Sequence, residues 1–204
     1  MQVSASRPAA ADLKRYLVEK KVTPLWALGT LLSNQGLQAV LVYRFGQMLN
    51  SRRHRILLWP LLSIGWLLYC PAAWLTRICY GIHLSLTAHI GAGFLVAHFG
   101  GVEVTNCRIG AGCSIGHQTK IGRTPEPDGP QIGDGVWIGA HSKIFGPVRI
   151  GDNATIAPGT CVKKNVPRRS LVVGNPGRIV SRSYDNRHMM TPRVVTWNVE
   201  SGAR

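Results

Sequence analysis

The sequence predicts a mainly β fold, a parallel β-helix of triangular cross-section preceded by a hydrophobic helical segment, and three observations carry that expectation. An aliphatic residue recurs about every six positions from Leu84 to Val162. The chain of 204 residues holds 23 glycines and 12 prolines without collagen periodicity, which suits turn-rich β structure and not a helical bundle. From Ile56 to Thr76 there is no formal charge, with Arg52, Arg53, His54 and Arg55 before the stretch and Arg77 after it.

The aliphatic ladder reads Leu84, Ile90, Val96, Val102, Ile109, Ile115, Ile121, Ile132, Ile138, Ile144, Ile150, Ile156 and Val162. One extra residue precedes Ile109, and five more lie within Gly122 to Gln131. A period of six fits neither an α-helix nor a simple amphipathic strand; it fits three short strands around a triangle, each turning one aliphatic side chain inward. Three repeats then make one coil, and each coil buries its aliphatics against its neighbours, as solenoids do.

Coils stack at the interstrand spacing of roughly 4.8 Å, so residues three repeats apart are neighbours. His98 follows Val96 by two positions and His117 follows Ile115 by two, which predicts both on one outer column in adjacent coils. Ala140 and Pro158 continue that column, which ends near Lys163, Lys164, Arg168 and Arg169, with the inserted loop beside it. An imidazole can take a proton near neutral pH, and the glycine N–H groups of Gly100 and Gly101 can face a developing oxyanion. His98 is therefore the candidate base, its alternative being a solvated surface histidine. His117 is open between substrate binding, a share in proton transfer and plain exposure; His89, His141 and His188 read as structural or solvent-facing. His83, Glu103 or a main-chain carbonyl is the candidate partner that would orient His98. The small residues beside Gly139, Ala140 and Pro158 leave room for an extended arm, and the lysines would meet phosphates as point charges.

The uncharged stretch is long enough to cross a bilayer. Pro60 and Pro71 interrupt it, so a kinked interfacial or re-entrant pair of helices is favoured over a span. A cap over the first coil of the solenoid is the other reading. Charge is uneven: residues 1–80 carry +8, residues 81–167 carry +2 and residues 168–204 carry +5 of the net +15. Basic ends suit anionic lipid and a polyanionic cofactor; no stacking aromatics are interleaved with the charge, so nucleic acid is not an expected partner. The five cysteines have no metal-ligand spacing and no secretory signal precedes them, which suggests free thiols in a reducing cytoplasm. No metal is expected, since a zinc site on such a scaffold would want converging histidines, and no histidine pair five residues apart occurs.

The stretches TAHIGAGFLVAHFGGVEV, IGDGVWIGAHSKIFGPVRIGDNATIAPGTCVKKNVP and VVGNPGRIV resemble the hexapeptide-repeat acyltransferases, nearest the serine acetyltransferase branch. That resemblance implies a left-handed β-helix, a homotrimer, acetyl-CoA in the cleft between subunits and His98 as the catalytic histidine. It also assigns Ala140 and Pro158 to the lining of the CoA site and Lys163, Lys164 and Arg178 to its basic contacts. Departures bear on the acceptor. His83 stands where the family has the aspartate partner of the histidine, Ala97 where it has an aspartate that helps hold the amino acid, and Gly129 near its substrate histidine. The family's large helical amino-terminal domain has no evident counterpart, and VLVYRFGQML with the hydrophobic segment is similar to exopolysaccharide acetyltransferases of the colanic-acid type. The expectation is an O-acetyltransferase acting on a saccharide hydroxyl at the cytoplasmic face of the inner membrane. Serine O-acetyl transfer and a non-catalytic scaffold are the alternatives. The predicted organisation is a membrane-associating helical segment over 1–80, the β-helix over 81–181 and a basic tail over 182–204.

Overall fold

The computed structural model describes residues 8–17, 24–52, 59–97, 100–122 and 129–190. Four helices, α1 (Pro8–Tyr16), α2 (Pro24–Ser33), α3 (Gln35–Arg52) and α4 (Trp59–Ile78), precede a β-solenoid, and a single helical turn, α5 (Arg187–Met190), follows it. The solenoid is built of two- and three-residue strands in three parallel sheets, with one antiparallel strand, Arg178–Ser181, closing the last coil.

The ladder forms the core. One sheet stacks Leu84, Val104, Ile121, Ile144 and Val162; the second stacks Ile90, Ile109, Ile132 and Ile150; the third stacks Val96, Ile115, Ile138, Ile156 and Val172. All are buried. Each rung removes one branched aliphatic from water on the inner face of a narrow coil, and the rung above and below completes its packing.

Register corrects the sequence in one place. Val104, and not Val102, pairs with Ile121, while Val102 pairs with Ile82. The six-residue step after Val96 is therefore eight residues long, and the next step, to Ile109, is five. Val102 and Val104 both point inward from a three-residue strand, so an aliphatic at either position satisfies the pattern, and spacing alone picks the wrong one.

The helices close the open edge of the first coil. Backbone groups there have no preceding coil to pair with, and polar side chains take its place. The Tyr16 hydroxyl accepts the Val96 N–H at 2.7 Å, Asp12 accepts the Phe94 N–H at 2.8 Å, and the Tyr43 hydroxyl accepts the Ile90 N–H at 3.3 Å while donating to the Ala88 carbonyl at 2.7 Å. Arg44 donates to the carbonyls of Ile90 at 2.7 Å and Gly91 at 2.6 Å and is ion-paired with the fully buried Asp12 at 2.7 Å. The cap is thus as much hydrogen-bonded as hydrophobic.

Helix α4 runs unbroken through Pro71, one helix where the sequence suggested a kinked pair; residues 56–58 of the uncharged stretch lie outside the described residues. The tail folds back as far as Met190. Asn186, buried, donates to the carbonyls of Gly135 at 2.9 Å and Ala154 at 3.3 Å.

Candidate active site

The corner between the third and first sheets holds the predicted column. The His141 N–H donates to the His117 carbonyl at 2.9 Å and the Gly159 N–H to the Ala140 carbonyl at 2.8 Å, so His117, Ala140 and Pro158 stand one above the next. Close stacking needs minimal side chains just before them. A Cβ on Gly116 would lie 2.6 Å from the Ala140 nitrogen, and one on Gly139 would lie 2.5 Å from the Pro158 nitrogen. Gly139 is therefore a stacking position, consistent with a smooth wall on the outer side.

His98 lies outside the described residues, but the register around it is clear. The Gln118 N–H donates to the Gly100 carbonyl at 2.8 Å, the contact that His141 makes to His117 one coil on. Gly100 therefore occupies the column position next to His117, four residues after Val96 where His117 stands two after Ile115. The longer step after Val96 is this turn. Simple counting from Val96 could not detect the longer step. Gly100 and Gly101 have φ of 100° and 66°, which makes them the residues able to carry the turn. The Gly100 N–H is already committed to the Tyr80 carbonyl at 2.9 Å, so it is not the open donor that the sequence suggested.

His141, by sequence a structural or solvent-facing residue, is exposed, yet its ring stands edge-on to that of His117 with centroids 5.1 Å apart and planes at 79°. Its backbone has φ of 61°, in the left-handed region, where Gly159 sits one coil later. A histidine held at a position best suited to glycine costs roughly 1 kcal/mol, and such residues cluster at functional sites. The sequence signal was available: the turn pattern reads Gly-His-Gln, Gly-Ala-His and Ala-Pro-Gly in successive coils.

Beside the column runs the outward row of the first sheet, His83, Glu103, Lys120, Lys143 and Cys161, each the strand neighbour of the next. His83 and Glu103, the two candidate orienting residues, are direct strand partners. Burial holds the His83 imidazole below its ordinary value, with Arg77 of α4 acting in the same direction and Glu103 opposing. Lys120 approaches Glu103 at 4.0 Å. A groove of about 560 Å³ along this edge is lined by Gly101, Gln118, Lys120, His141, Lys143 and Asn175, among others.

The basic residues divide. Arg178 pairs with Val173 at the end of the third sheet, so it stands near the top of the column. Lys163 and Lys164 follow Val162 and precede Val166, which bridges to Ile150, so they lie at the corner between the first and second sheets. Arg168 and Arg169 come after that bridge, further round the coil. The insertion after Gly122 leaves from the same corner as the lysines, one sheet away from His117; its residues 123–128 lie outside the described ones. Within one chain neither the lysines nor the described ends of the insertion join the column, in contrast to the arrangement that sequence spacing suggested.

Comparison with known proteins is consistent with this architecture. The family model "Bacterial transferase hexapeptide (six repeats)" matches residues 129–164. A serine acetyltransferase of Synechococcus elongatus is 30% identical over 178 residues, covering 85% of this chain and 68% of that protein. A serine acetyltransferase of Mycobacterium tuberculosis is 34% identical over 134 residues, covering 64% of this chain and 58% of its own length. The structure titled "Soybean Serine Acetyltransferase Complexed with Serine" superposes with a TM-score of 0.66 at 30% identity, covering 85% of this chain and 68% of that one. The solenoid alone, residues 81–181, is about half of the chain, so these longer matches reach into the helices that the sequence reading left without a counterpart. The fold, the repeat and the extent of the similarity together establish that the chain belongs to the serine acetyltransferase family of hexapeptide-repeat transferases.

Proposed function

We propose that this protein is an acetyl-CoA-dependent O-acetyltransferase, with His98 as the general base and serine as the acceptor that its relatives favour. The observation that carries the reading is the column of Gly100, His117, Ala140 and Pro158 in a chain of this family, with His98 two residues before Gly100 in sequence. The acceptor hydroxyl gives its proton to the His98 imidazole as its oxygen attacks the thioester carbonyl carbon. The C–S bond then breaks, and the departing thiolate takes the proton from the imidazolium, leaving an O-acetyl ester and free CoA. His83 and Glu103, neighbours on the adjoining strands, orient the base; Ala140, Pro158 and Gly139 line the pantetheine arm.

Lys163, Lys164 and the inserted loop stand at a different corner of the prism from the column. A homotrimer in which one subunit's column faces the next subunit's loop corner would unite them around the CoA phosphates, and a cytoplasmic trimer is the state proposed.

A second reading, acetyl transfer to a saccharide hydroxyl at the inner face of a membrane, is favoured by two observations. Ala97, exposed beside the base, offers no charge to an amino acid's ammonium group, and α4 exposes a long apolar face. The test is CoA release by the purified protein with serine and with a panel of hexoses as acceptors. Turnover of serine that falls by about 10²–10⁴ in His98→Ala, with the fold retained, supports the first reading. Turnover of sugars and not of serine selects the second, and no CoA release with either refutes both.

A further inference from the structure

Helix α4 carries an apolar stripe that nothing among the described residues covers. Leu61, Ile64, Leu67, Leu68, Trp74 and Ile78 are 57–74% exposed, at helical spacings of three, four and seven that keep them on one side. The stripe spans the helix from Leu61 to Ile78, about 26 Å at 1.5 Å per residue. Pro60–Ile78 is long and apolar enough to cross a bilayer.

Its packing argues against a crossing. The opposite side of α4 is committed to protein: Leu62 and Thr76 are buried, a Cβ on Gly65 would lie 2.6 Å from the Leu49 side chain, and one on Gly46 of α3 would lie 2.4 Å from the Tyr69 ring. A helix gripped along its length by α3 and the first coil can offer lipid only half its circumference. Pro71, itself exposed, has no N–H to return to the Leu67 carbonyl, and that carbonyl wants the water and headgroups of an interface.

Charge identifies the occupant. Arg77 is exposed in the last turn of α4, Arg52 is exposed at the end of α3, and Arg53 and Arg55 fall between the two helices in sequence. Residues 1–80 contain only two acids, Asp12 and Glu19, and Asp12 is consumed by Arg44. A second copy docking face to face would bring Arg52 and Arg77 against their own kind, whereas anionic phospholipid would neutralise them. We infer that α4 lies in the plane of an anionic bilayer surface, stripe down, and holds the solenoid against it. Arg77 also acts on His83, so the docked face adjoins the candidate active site. The inference is independent of which hydroxyl is acetylated.

The test is flotation of the full chain with vesicles of phosphatidylcholine alone and of phosphatidylcholine mixed with phosphatidylglycerol. The wild type is expected to float several-fold more on the mixed vesicles and to be released by added salt. Leu67→Asp combined with Trp74→Asp removes flotation while leaving the circular dichroism spectrum unchanged, because both side chains are exposed. Should that pair fail to fold, Arg77→Gln is expected to weaken binding to mixed vesicles only. Absence of wild-type flotation on mixed vesicles, or equal flotation of a folded double variant, overturns the inference. So does a vesicle-free assembly in sedimentation velocity that the double variant dissolves, which would assign the face to a second copy.

Discussion

His141 and His117 are joined twice, by a 2.9 Å hydrogen bond from the His141 N–H to the His117 carbonyl and by the edge-on contact of their rings at 5.1 Å. Two opposing contributions meet at His141: the left-handed backbone costs about 1 kcal/mol, and an aromatic contact returns about 0.5–1.5 kcal/mol. His141→Gly should therefore leave stability within about 1 kcal/mol of wild type while removing this ring contact from His117. If His117 touches the reacting groups, kcat/KM falls about tenfold in that variant, the equivalent of one hydrogen bond. Steady-state kinetics beside a melting curve checks both halves.

The Asp12–Arg44 pair ties α1 and α3 to the first coil, with the Asp12 side chain fully buried and that of Arg44 12% exposed. Asp12→Ala strands a buried guanidinium and also leaves the Phe94 N–H without its acceptor. A loss of about 3–5 kcal/mol follows, read as a shift in the urea midpoint. Asp12→Asn keeps an acceptor for Phe94 and should lose less.

His83 makes stability pH-dependent in a defined direction. Burial, then Arg77, lowers its pKa in the folded protein below the ordinary 6.5, so folding favours the neutral ring. Its contribution is complete above 6.5 and is lost as pH falls from there through the folded value. His83→Asn should flatten that acid limb, seen as a smaller drop in melting temperature between neutral and mildly acidic buffer. An unchanged slope would mean that another group controls the limb.

Thiol reactivity should divide by position. Cys107 and Cys113 are buried, and burial pushes both thiols up to about 12, whereas Cys70 and Cys79 are exposed. In the native protein a thiol-exchange reagent should modify Cys70 and Cys79 promptly, with Cys107 and Cys113 reacting only on unfolding. Peptide mapping after a short exposure tests the assignment.

Gly139 allows two coils to meet where a Cβ would come within 2.5 Å of the Pro158 nitrogen. Gly139→Val must push these coils apart, at about 1–3 kcal/mol. The same change would narrow the wall proposed for the pantetheine arm, so the Michaelis constant for acetyl-CoA should rise in whatever fraction remains folded.

Much of the molecule was legible in advance because a solenoid is a local object. A rung needs only an inward aliphatic and a turn, so Ile115, Ile138 and Ile156 identified the third sheet, and the column above them followed by counting. Counting failed at Val102, where two inward-facing valines two residues apart are equivalent to any periodicity argument. That slip concealed the longer step after Val96, which puts Gly100 at the column position next to His117. The separation of Lys163 from the column was within reach of the same counting: Val162 is the thirteenth rung, three to a coil, so it falls in the sheet of Leu84 and not in that of Ile115, Ile138 and Ile156.

From the sequence alone came the solenoid, the buried ladder, the histidine-bearing edge and the uncharged stretch, since each depends on spacing along the chain. Only the tertiary structure decided the register at Val104, the meeting of His141 with His117, the hydrogen-bonded cap made by Tyr16, Asp12 and Arg44, and which side of α4 stays bare. These depend on which backbone donors and acceptors are left over when coils and helices meet. That remainder is a property of the packed chain and of no single segment.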